Sequence, residues 1–433
     1  MARCGTETRV MALSRKAFLA LQAYRLLHGF AAMTGAAAAP ILSHYSRRVK
    51  NGFKDFFGQV QTATGPVLWV HGVSMGESMV AAGFVAELRK RFPAYQIAFT
   101  TTHPDVYTNI CKRGIADLTA FFPLDNLVAM QRVFDRWRPQ AVFVAETDFW
   151  PEFSWQCRRR NVPLILINGR ISEKIARFYQ QFPAFAELVF SAFSLLAVQT
   201  SADAERLFSL GVTADRVKVL GNMKADLTPA AAASLEPFKN WLGQRRCLVL
   251  GSVHPSEFTL LKPALRHFAE SGTAVILAPR KPDNCAAWLV ELKNAGLSAG
   301  LRSEINSAGP CDILLLDSMG ELAALYQLAT AAFVGGSIDA AVGGHNPLEV
   351  MQQHVPLLMG PNCRNFADIV EQLKNAGGIE IVTDAESLQC AVERLFADSQ
   401  LTASRVLAAD SVLEASRGCL QRTLQSVTSL VSL

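Results

Sequence analysis

Two carboxylates stand just past buried-looking apolar runs. Glu77 lies at the end of the loop in VLWVHGVSMGES, residues 67–78, and Glu146 closes QAVFVAE, residues 140–146. Lys224 follows the run VKVL in GNMKAD, and Arg280 with Lys281 follow TAVILAP in APRKPD. An acid at a strand end can take a proton from a hydroxyl, and cations there can match a phosphate's charge. Glu77 also has a plainer reading. Ser74-Met75-Gly76-Glu77 spells a capping box, and the spelling recurs at Ser318-Met319-Gly320-Glu321. Asn346-Pro347-Leu348-Glu349 repeats it with proline at the first helical position. Cap and base both stay open from the residues. A base requires that Ser74 cap alone, because a glutamate closed on the Ser74 N–H would turn away from substrate. His71, His254 and His345 lie in the same loops, where a hydrogen-bonding core role suits each at least as well as catalysis.

Several chemistries fit poorly. GVSMGES lacks the lysine of a phosphate-binding Walker loop, and the first half holds no clean G-x-G-x-x-G with its downstream ribose acid. No His, Asp or Glu spacing suggests a metal site. Nine cysteines, scattered and without a C-x-x-C pair, point to a reducing compartment rather than a disulfide framework. A net charge of +5 over 433 residues is too mild for a dedicated nucleic-acid binder. It suits anionic lipid or a phosphorylated substrate.

The elements that must position these groups form two series. Short apolar runs at 67–70, 96–102, 140–146, 163–168, 195–200 and 217–222 alternate with helix-length stretches. After KADLTPAAAASLEPF, residues 224–238, the rhythm restarts at 246–252, 273–279, 312–317, 331–336, 356–360 and 379–383. Continuous apolar strands between helices imply parallel sheets covered on both faces. Two doubly wound domains are therefore expected, with a ligand cleft between the carboxyl ends of their strands. The helix starts at Ser74, Ser318 and Asn346 would face that cleft and offer N–H groups to phosphate. Before the first series, residues 17–42 are mostly apolar around Arg25 and His28, with Arg9, Arg15 and Lys16 before and Arg47, Arg48, Lys50 and Lys54 after. About 20 apolar residues span a bilayer, whereas a central arginine favours a tilted or interfacial helix. A membrane-attached N-terminal helix with a cytoplasmic main body is expected.

Taken together, these landmarks resemble the Kdo transferases, bacterial enzymes that move 3-deoxy-D-manno-octulosonic acid from its CMP-sugar onto the lipid A precursor. WVHGVSMGE, ETDFWPEF, NGRISEKIARFY, GNMKAD, APRKPD, DSMGEL, FVGGS and GGHNPLE follow in the family's order between about residues 65 and 380. The loop reads HGVSMGE where the family more often has HAASVGE, and SRRVKNGFKDFFGQVQ matches the family's linking segment poorly. The resemblance implies an α/β fold of two tandem Rossmann-like domains, the glycosyltransferase B type, with an N-terminal membrane-anchor helix. It implies an anchor over 1–45, an acceptor domain over 46–225 and a linker over 226–243. A nucleotide-sugar domain over 244–398 and a helical tail over 399–433 would follow. Glu77 would be the general base, with Glu146 and Lys224 assisting. CMP would meet Pro279, Arg280, Met319, Gly320, Glu321, Asn346, Pro347, Leu348 and Glu349.

Arg170, Ser172 and Arg177 are candidate acceptor contacts. The aromatic stretch 173–193 beside them reads equally as core or as lipid contact. The implied partners are CMP-Kdo, the lipid A precursor and the membrane surface, with no metal, no further cofactor, no nucleic acid and no obligate protein partner. The implied location is the cytoplasmic face of the bacterial inner membrane. The residues also fit a UDP-sugar transferase or 2-epimerase, or a non-catalytic membrane-bound nucleotide-sugar sensor.

Overall fold

The computed structural model describes residues 13–45, 47–227, 234–306 and 310–431, with the side chains of 35–51 and of Met75 left outside that description. Arg9, the side chains of Arg47, Arg48 and Lys50, the end of the apolar segment and linker residues 228–233 therefore lie outside the described residues. The chain forms two compact units, Met1–Leu227 with Gly418–Leu433, and Thr228–Arg417.

Unit 1 holds β1 (Val67–His71), β2 (Gln96–Thr101), β3 (Leu118–Phe121), β4 (Pro139–Ala145), β5 (Leu164–Gly169), β6 (Phe193–Val198) and β7 (Val217–Val219). The sheet runs β3-β2-β1-β4-β5-β6-β7 and every pairing is parallel. Alternate residues feed opposite faces, as a two-residue period demands. Trp69, Val142, Val144, Leu164 and Leu166 line one core. Leu68, Val70, Phe143, Ile165 and Ile167 line the other. Trp69 anchors the first, its ring centroid 4.9 Å from those of Trp137 and Phe153.

Unit 2 repeats the plan with β8 (Cys247–Val253), β9 (Ala274–Pro279), β10 (Ala299–Leu301), β11 (Ile313–Leu315), β12 (Ala331–Val334), β13 (Leu357–Met359) and β14 (Ile379–Ile381). Its order is β10-β11-β9-β8-β12-β13-β14. In both sheets the order reverses beside the first strand, at β1/β4 and β8/β12, and such switch points open a crevice at the carboxyl ends.

The sequence reading misses β3 and β10. Each is a short edge strand of its sheet, and LTAF and AGL hold no Val or Ile, unlike the opposite edges β7 (VKV) and β14 (IEI), which the sequence does mark. The tail from 399 also divides. The helix Ser399–Ser416 belongs to unit 2, while Cys419–Thr428 belongs to unit 1. There Cys419, Leu424 and Val427 join the core, and Asp226 accepts the N–H groups of Gly418 and Leu420, both at 2.6 Å.

The N-terminal segment forms a helix over Arg15–Tyr45, yet among the described residues no helix is long and apolar enough to cross a membrane. Its arginine is not stranded in apolar surroundings. Arg25 makes a two-point contact with the buried Glu152, Nε at 2.7 Å and Nη2 at 3.0 Å. The Tyr24 hydroxyl donates to Asp125 at 2.8 Å, and Glu187 accepts from Ser14. Ala17, Leu21, Tyr24, Arg25 and His28 share one stripe at helical spacing, and Ala17 and Leu21 are fully buried.

Candidate active site

The site in unit 1 is built on three strand ends. After β1 the chain turns through Gly72-Val73 into the helix Met75–Arg91, with Ser74 as N-cap. The Ser74 hydroxyl accepts the Glu77 N–H at 3.1 Å. The Glu77 carboxylate does not close on the Ser74 N–H; its Oε2 accepts the Val73 N–H at 2.8 Å. Serine caps, and the acid is turned back along the loop towards the strand ends. Glu77 is buried, and burial raises its pKa above the ordinary carboxylate value, helped by the nearby charge of Glu146. The Val73 and Ser74 bonds oppose that rise, and Asp148 adds to it.

Glu146 follows β4 with a left-handed backbone, φ 61°, a conformation that costs a non-glycine residue about 1–3 kcal/mol and clusters at functional sites. Its Oε1 lies 2.7 Å from Lys224 Nζ and accepts from Asn168 Nδ2 at 3.2 Å. Lys224 reaches across the start of the Met75–Arg91 helix, because a Cβ placed on Gly76 would lie 3.8 Å from its Nζ. Glu77, Glu146 and Lys224, far apart in the chain, thus meet in one unit.

Asn168 is the residue that the sequence reading misses. It too is left-handed, φ 51°, and its side chain donates to Glu146 while accepting the Met223 N–H at 2.9 Å. It thereby ties the end of β5 to the end of β4 and to the turn carrying Lys224. Its signal was the one that marked Glu146: a polar residue ending a buried run.

The candidate acceptor residues are spread out. Ser172 caps the helix Glu173–Gln181 by accepting the Ile175 N–H at 3.3 Å. Arg177 is exposed and paired with Glu173 at 2.8 Å, and the backbone N–H of Arg170 donates to the Glu146 carbonyl at 3.1 Å. Of the aromatic stretch, Phe190 and Phe193 are core, while Phe178 and Phe182 are about half exposed at 50% and 47%.

Unit 2 gathers its own set at the end of β8 and β12. Glu257, buried in the first turn of the helix Pro255–Glu270, accepts four backbone N–H groups, from His254, Gly336, Ser337 and Ile338, at 2.6–3.0 Å. That single carboxylate ties together the loops on both sides of the switch point. Above it His254 Nε2 lies 2.8 Å from His345 Nε2. Burial, with Arg280 and then His254 nearby, pushes His345 down to about 4, so His345 stands neutral at neutral pH. Pro279 is buried at the end of β9, and Arg280 follows with an exposed side chain.

The other two expected capping boxes do not form. Glu321 is itself the N-cap of a four-residue helix, Leu322–Leu325. Its carboxylate takes the Ser318 hydroxyl and an ion pair with Arg302 at 2.9 Å. Gly320 before it is left-handed, φ 88°, and Met319 is exposed. At the third start Pro347 is the N-cap of Leu348–Met351. Asn346 accepts the Leu348 N–H at 3.2 Å and donates to Glu349 at 3.1 Å. Helices of four residues carry little of the macrodipole expected there. The sequence spacing was that of a box, but glycine and proline redirected the backbone. Among the described residues, no group of three or more His, Cys, Asp or Glu side chains is arranged to hold a metal.

Comparison with known proteins gives these arrangements a family. A model described as 3-deoxy-D-manno-octulosonic-acid transferase (kdotransferase) matches residues 46–227. A 3-deoxy-D-manno-octulosonic acid transferase of Chlamydia muridarum is 31% identical over 391 residues, covering 87% of this chain and 90% of the relative. One of Haemophilus influenzae is 28% identical over 378 residues, 85% of this chain and 88% of the relative. The solved UDP-GlcNAc 2-epimerase of Neisseria meningitidis aligns over 84% of this chain and all of its own, with a TM-score of 0.59 at 13% identity. That likeness concerns the fold, two parallel-sheet α/β units of the glycosyltransferase B type. With identity carried along nearly the whole length of its relatives, the chain belongs to the 3-deoxy-D-manno-octulosonic acid (Kdo) transferase family.

Proposed function

We propose that the chain moves Kdo from CMP-Kdo to the lipid A precursor as an inverting transferase. It would act at the cytoplasmic face of the bacterial inner membrane with no resident metal or further cofactor. The observation that carries this reading is the meeting of Glu77, Glu146 and Lys224 at the ends of β4 and of the β1 and β7 loops. In the proposed step Glu77 takes the proton of the acceptor hydroxyl. The hydroxyl oxygen bonds to the anomeric carbon from the face opposite CMP, and the carbon–oxygen bond to the phosphate breaks, its electron pair leaving with CMP. A direct displacement needs one base, unlike hydrolysis by two carboxylates. Lys224 supplies positive charge beside the glutamates where charge develops. Pro279, Arg280, Met319 to Glu321 and Asn346 to Glu349 are the proposed CMP contacts. Arg170 and Arg177 are proposed for acceptor phosphates, with Ser172 setting the helix that presents Arg177.

Incubating the purified chain with CMP-Kdo and the lipid A precursor should yield a product heavier by whole Kdo units in mass spectra, equally with EDTA present. Transfer from a UDP-sugar, with none from CMP-Kdo, would overturn the reading.

Membrane attachment is proposed through the outer face of the Arg15–Tyr45 helix. Phe18, Leu19, Leu26, Leu27, Phe30 and Met33 are exposed on the side opposite the docked stripe, beside the exposed Arg15 and Lys16. That pattern suits a helix lying in the lipid interface. The Leu26→Asp/Leu27→Asp double variant should bind phosphatidylglycerol-containing vesicles at least roughly tenfold more weakly, since burying a leucine is worth about 1.5–3 kcal/mol. Undiminished co-sedimentation would rule this face out.

A further inference from the structure

Lys224 sits in a helical turn of only four residues, Met223–Asp226. So short a turn has little stability of its own, and what fixes Lys224 must come from outside it. At the start of the turn the Asn168 side chain accepts the Met223 N–H at 2.9 Å, and the Asn222 side chain accepts the Lys224 N–H at 3.0 Å. Met223 and Ala225 are buried. At the end stands Asp226, and the transfer step above has no use for its carboxylate.

That carboxylate reaches a distant segment of unit 1. Its Oδ1 accepts the Gly418 N–H and its Oδ2 the Leu420 N–H, each at 2.6 Å. Both belong to the start of the helix Cys419–Thr428, whose N-cap is Gly418, a residue with no side chain to cap with. Asp226 serves as the cap instead, and its charge suits the positive end of that helix. The helix also lies against the run entering the Lys224 turn. A Cβ placed on Gly221 would lie 2.6 Å from Cys419 Sγ, and Arg422 Nη2 donates to the Leu220 carbonyl at 3.1 Å. Cys419, Leu424 and Val427 share one core with Met223, and with Val80 and Phe84 of the helix that carries Glu77.

The chain leaves unit 1 after Leu227 and re-enters it at Gly418. Asp226 therefore joins the last turn before the exit to the first residue after the return, two positions from Lys224. Loss of that bond would free the start of the helix packed on Met223 and leave the end of the turn joined to a linker. We propose that Asp226 is a positioning residue of the transfer site: by capping the helix Cys419–Thr428 it locks the far end of the Lys224 turn and keeps Lys224 Nζ 2.7 Å from Glu146. The inference rests on the role proposed above for Lys224.

Transfer by the full chain, with CMP-Kdo and the lipid A precursor each varied, tests it as a double-mutant cycle. Asp226→Asn keeps one oxygen and turns an amide NH₂ on the second backbone N–H. It should cut kcat roughly 10- to 100-fold, the cost of a small misplacement at the reacting centre, while both KM values hold. In the Lys224→Ala background the same substitution should cost nothing further, because no ammonium is left to misplace. A purely structural role would cost as much in either background. Asp226→Glu, which keeps both oxygens, should recover much of kcat. Should Asp226→Asn fail to fold, Asp226→Ser takes its place in the cycle, since a hydroxyl can accept one N–H without opposing the other. Long single-turnover time courses with enzyme in excess keep Lys224→Ala readable. Wild-type kcat in folded Asp226→Asn overturns the proposal, as does an equal loss in both backgrounds. Wild-type turnover by Lys224→Ala alone instead removes the role of Lys224 itself, and the positioning role with it.

Discussion

Glutamine at position 77 is expected to abolish transfer in a protein that folds normally, with kcat falling on the order of 10²–10⁴-fold, the usual worth of a positioned base. The substitution isolates the proton. Glutamine keeps an oxygen that can accept the Val73 N–H, as Glu77 Oε2 does at 2.8 Å, and Ser74 goes on capping the helix by its bond to the residue 77 N–H. The loop therefore has no reason to move. Mass-spectrometric turnover beside a thermal melt reads both halves of the expectation. A folded Glu77→Gln enzyme that still turns over would falsify the role of this carboxylate.

The same residue ties rate to pH with a definite sign. Burial first, then Glu146, hold the Glu77 carboxyl above the ordinary carboxylate range. A base must be ionised, so the acidic limb of kcat/KM should fall at a pH above 4.5, the ordinary value for glutamate, and that limb should be lost with the residue. Stability runs the other way. A carboxyl whose folded pKa exceeds its unfolded one stabilises the fold below the unfolded value and loses that contribution as pH rises through the folded value. At neutral pH ionised Glu77 is thus a burden on the fold, and Glu77→Gln should melt no lower than wild type. Activity at this position is obtained against stability.

What could be read from the sequence was set by how local the cause is. Strands buried on both faces declare themselves as apolar runs, and the edge strands β7 and β14 are marked by their Val and Ile, so twelve of the parallel strands stand out, and their carboxyl ends point to Glu77, Glu146 and Lys224. β3 and β10 escape because LTAF and AGL hold no Val or Ile and neither edge strand has a second neighbour to demand a longer apolar run. Capping-box spacing was read three times, yet only Ser74 caps as expected. At Gly320 and Pro347 the backbone conformation decides instead, and no side-chain pattern reports it. Asn168, Asp148 and Glu257 join segments 22 to 81 residues apart. Such contacts exist only once the strands are ordered side by side. The family resemblance supplied roles for residues, whereas the geometry supplies the partners that fix them. Arg25 makes the same point most sharply, for an arginine amid apolar residues reads as a fault in a membrane helix until its partner is known.

Arg25→Ala should release the N-terminal helix from unit 1. The partner, Glu152, is fully buried, and its two oxygens take Arg25 Nε and Nη2 at 2.7 and 3.0 Å. Gln156 is its further side-chain donor, at 2.7 Å. Removing one member of a buried pair typically costs about 3–5 kcal/mol, because the other charge is left without its partner. The setting sharpens that cost. Asp125, next to Glu152 at the start of the helix Pro151–Arg159, is pushed up to about 7 by burial, so a second acid would share the uncompensated pocket. The helix has a cheaper way out than global unfolding. Its contacts with the unit are a narrow stripe, Ala17, Leu21, Tyr24 and Arg25, and lifting off lets water reach Glu152. The loss should accordingly appear as local opening. Amides of residues 15–34 should exchange hydrogen rapidly in Arg25→Ala while those of β1 and β4 stay protected. Adding Glu152→Gln removes the stranded charge and should restore much of the protection. Slow exchange in the single variant would mean that apolar packing alone holds the helix. Fast exchange in β1 as well would mean that the helix is part of the unit's cooperative core rather than an element docked upon it.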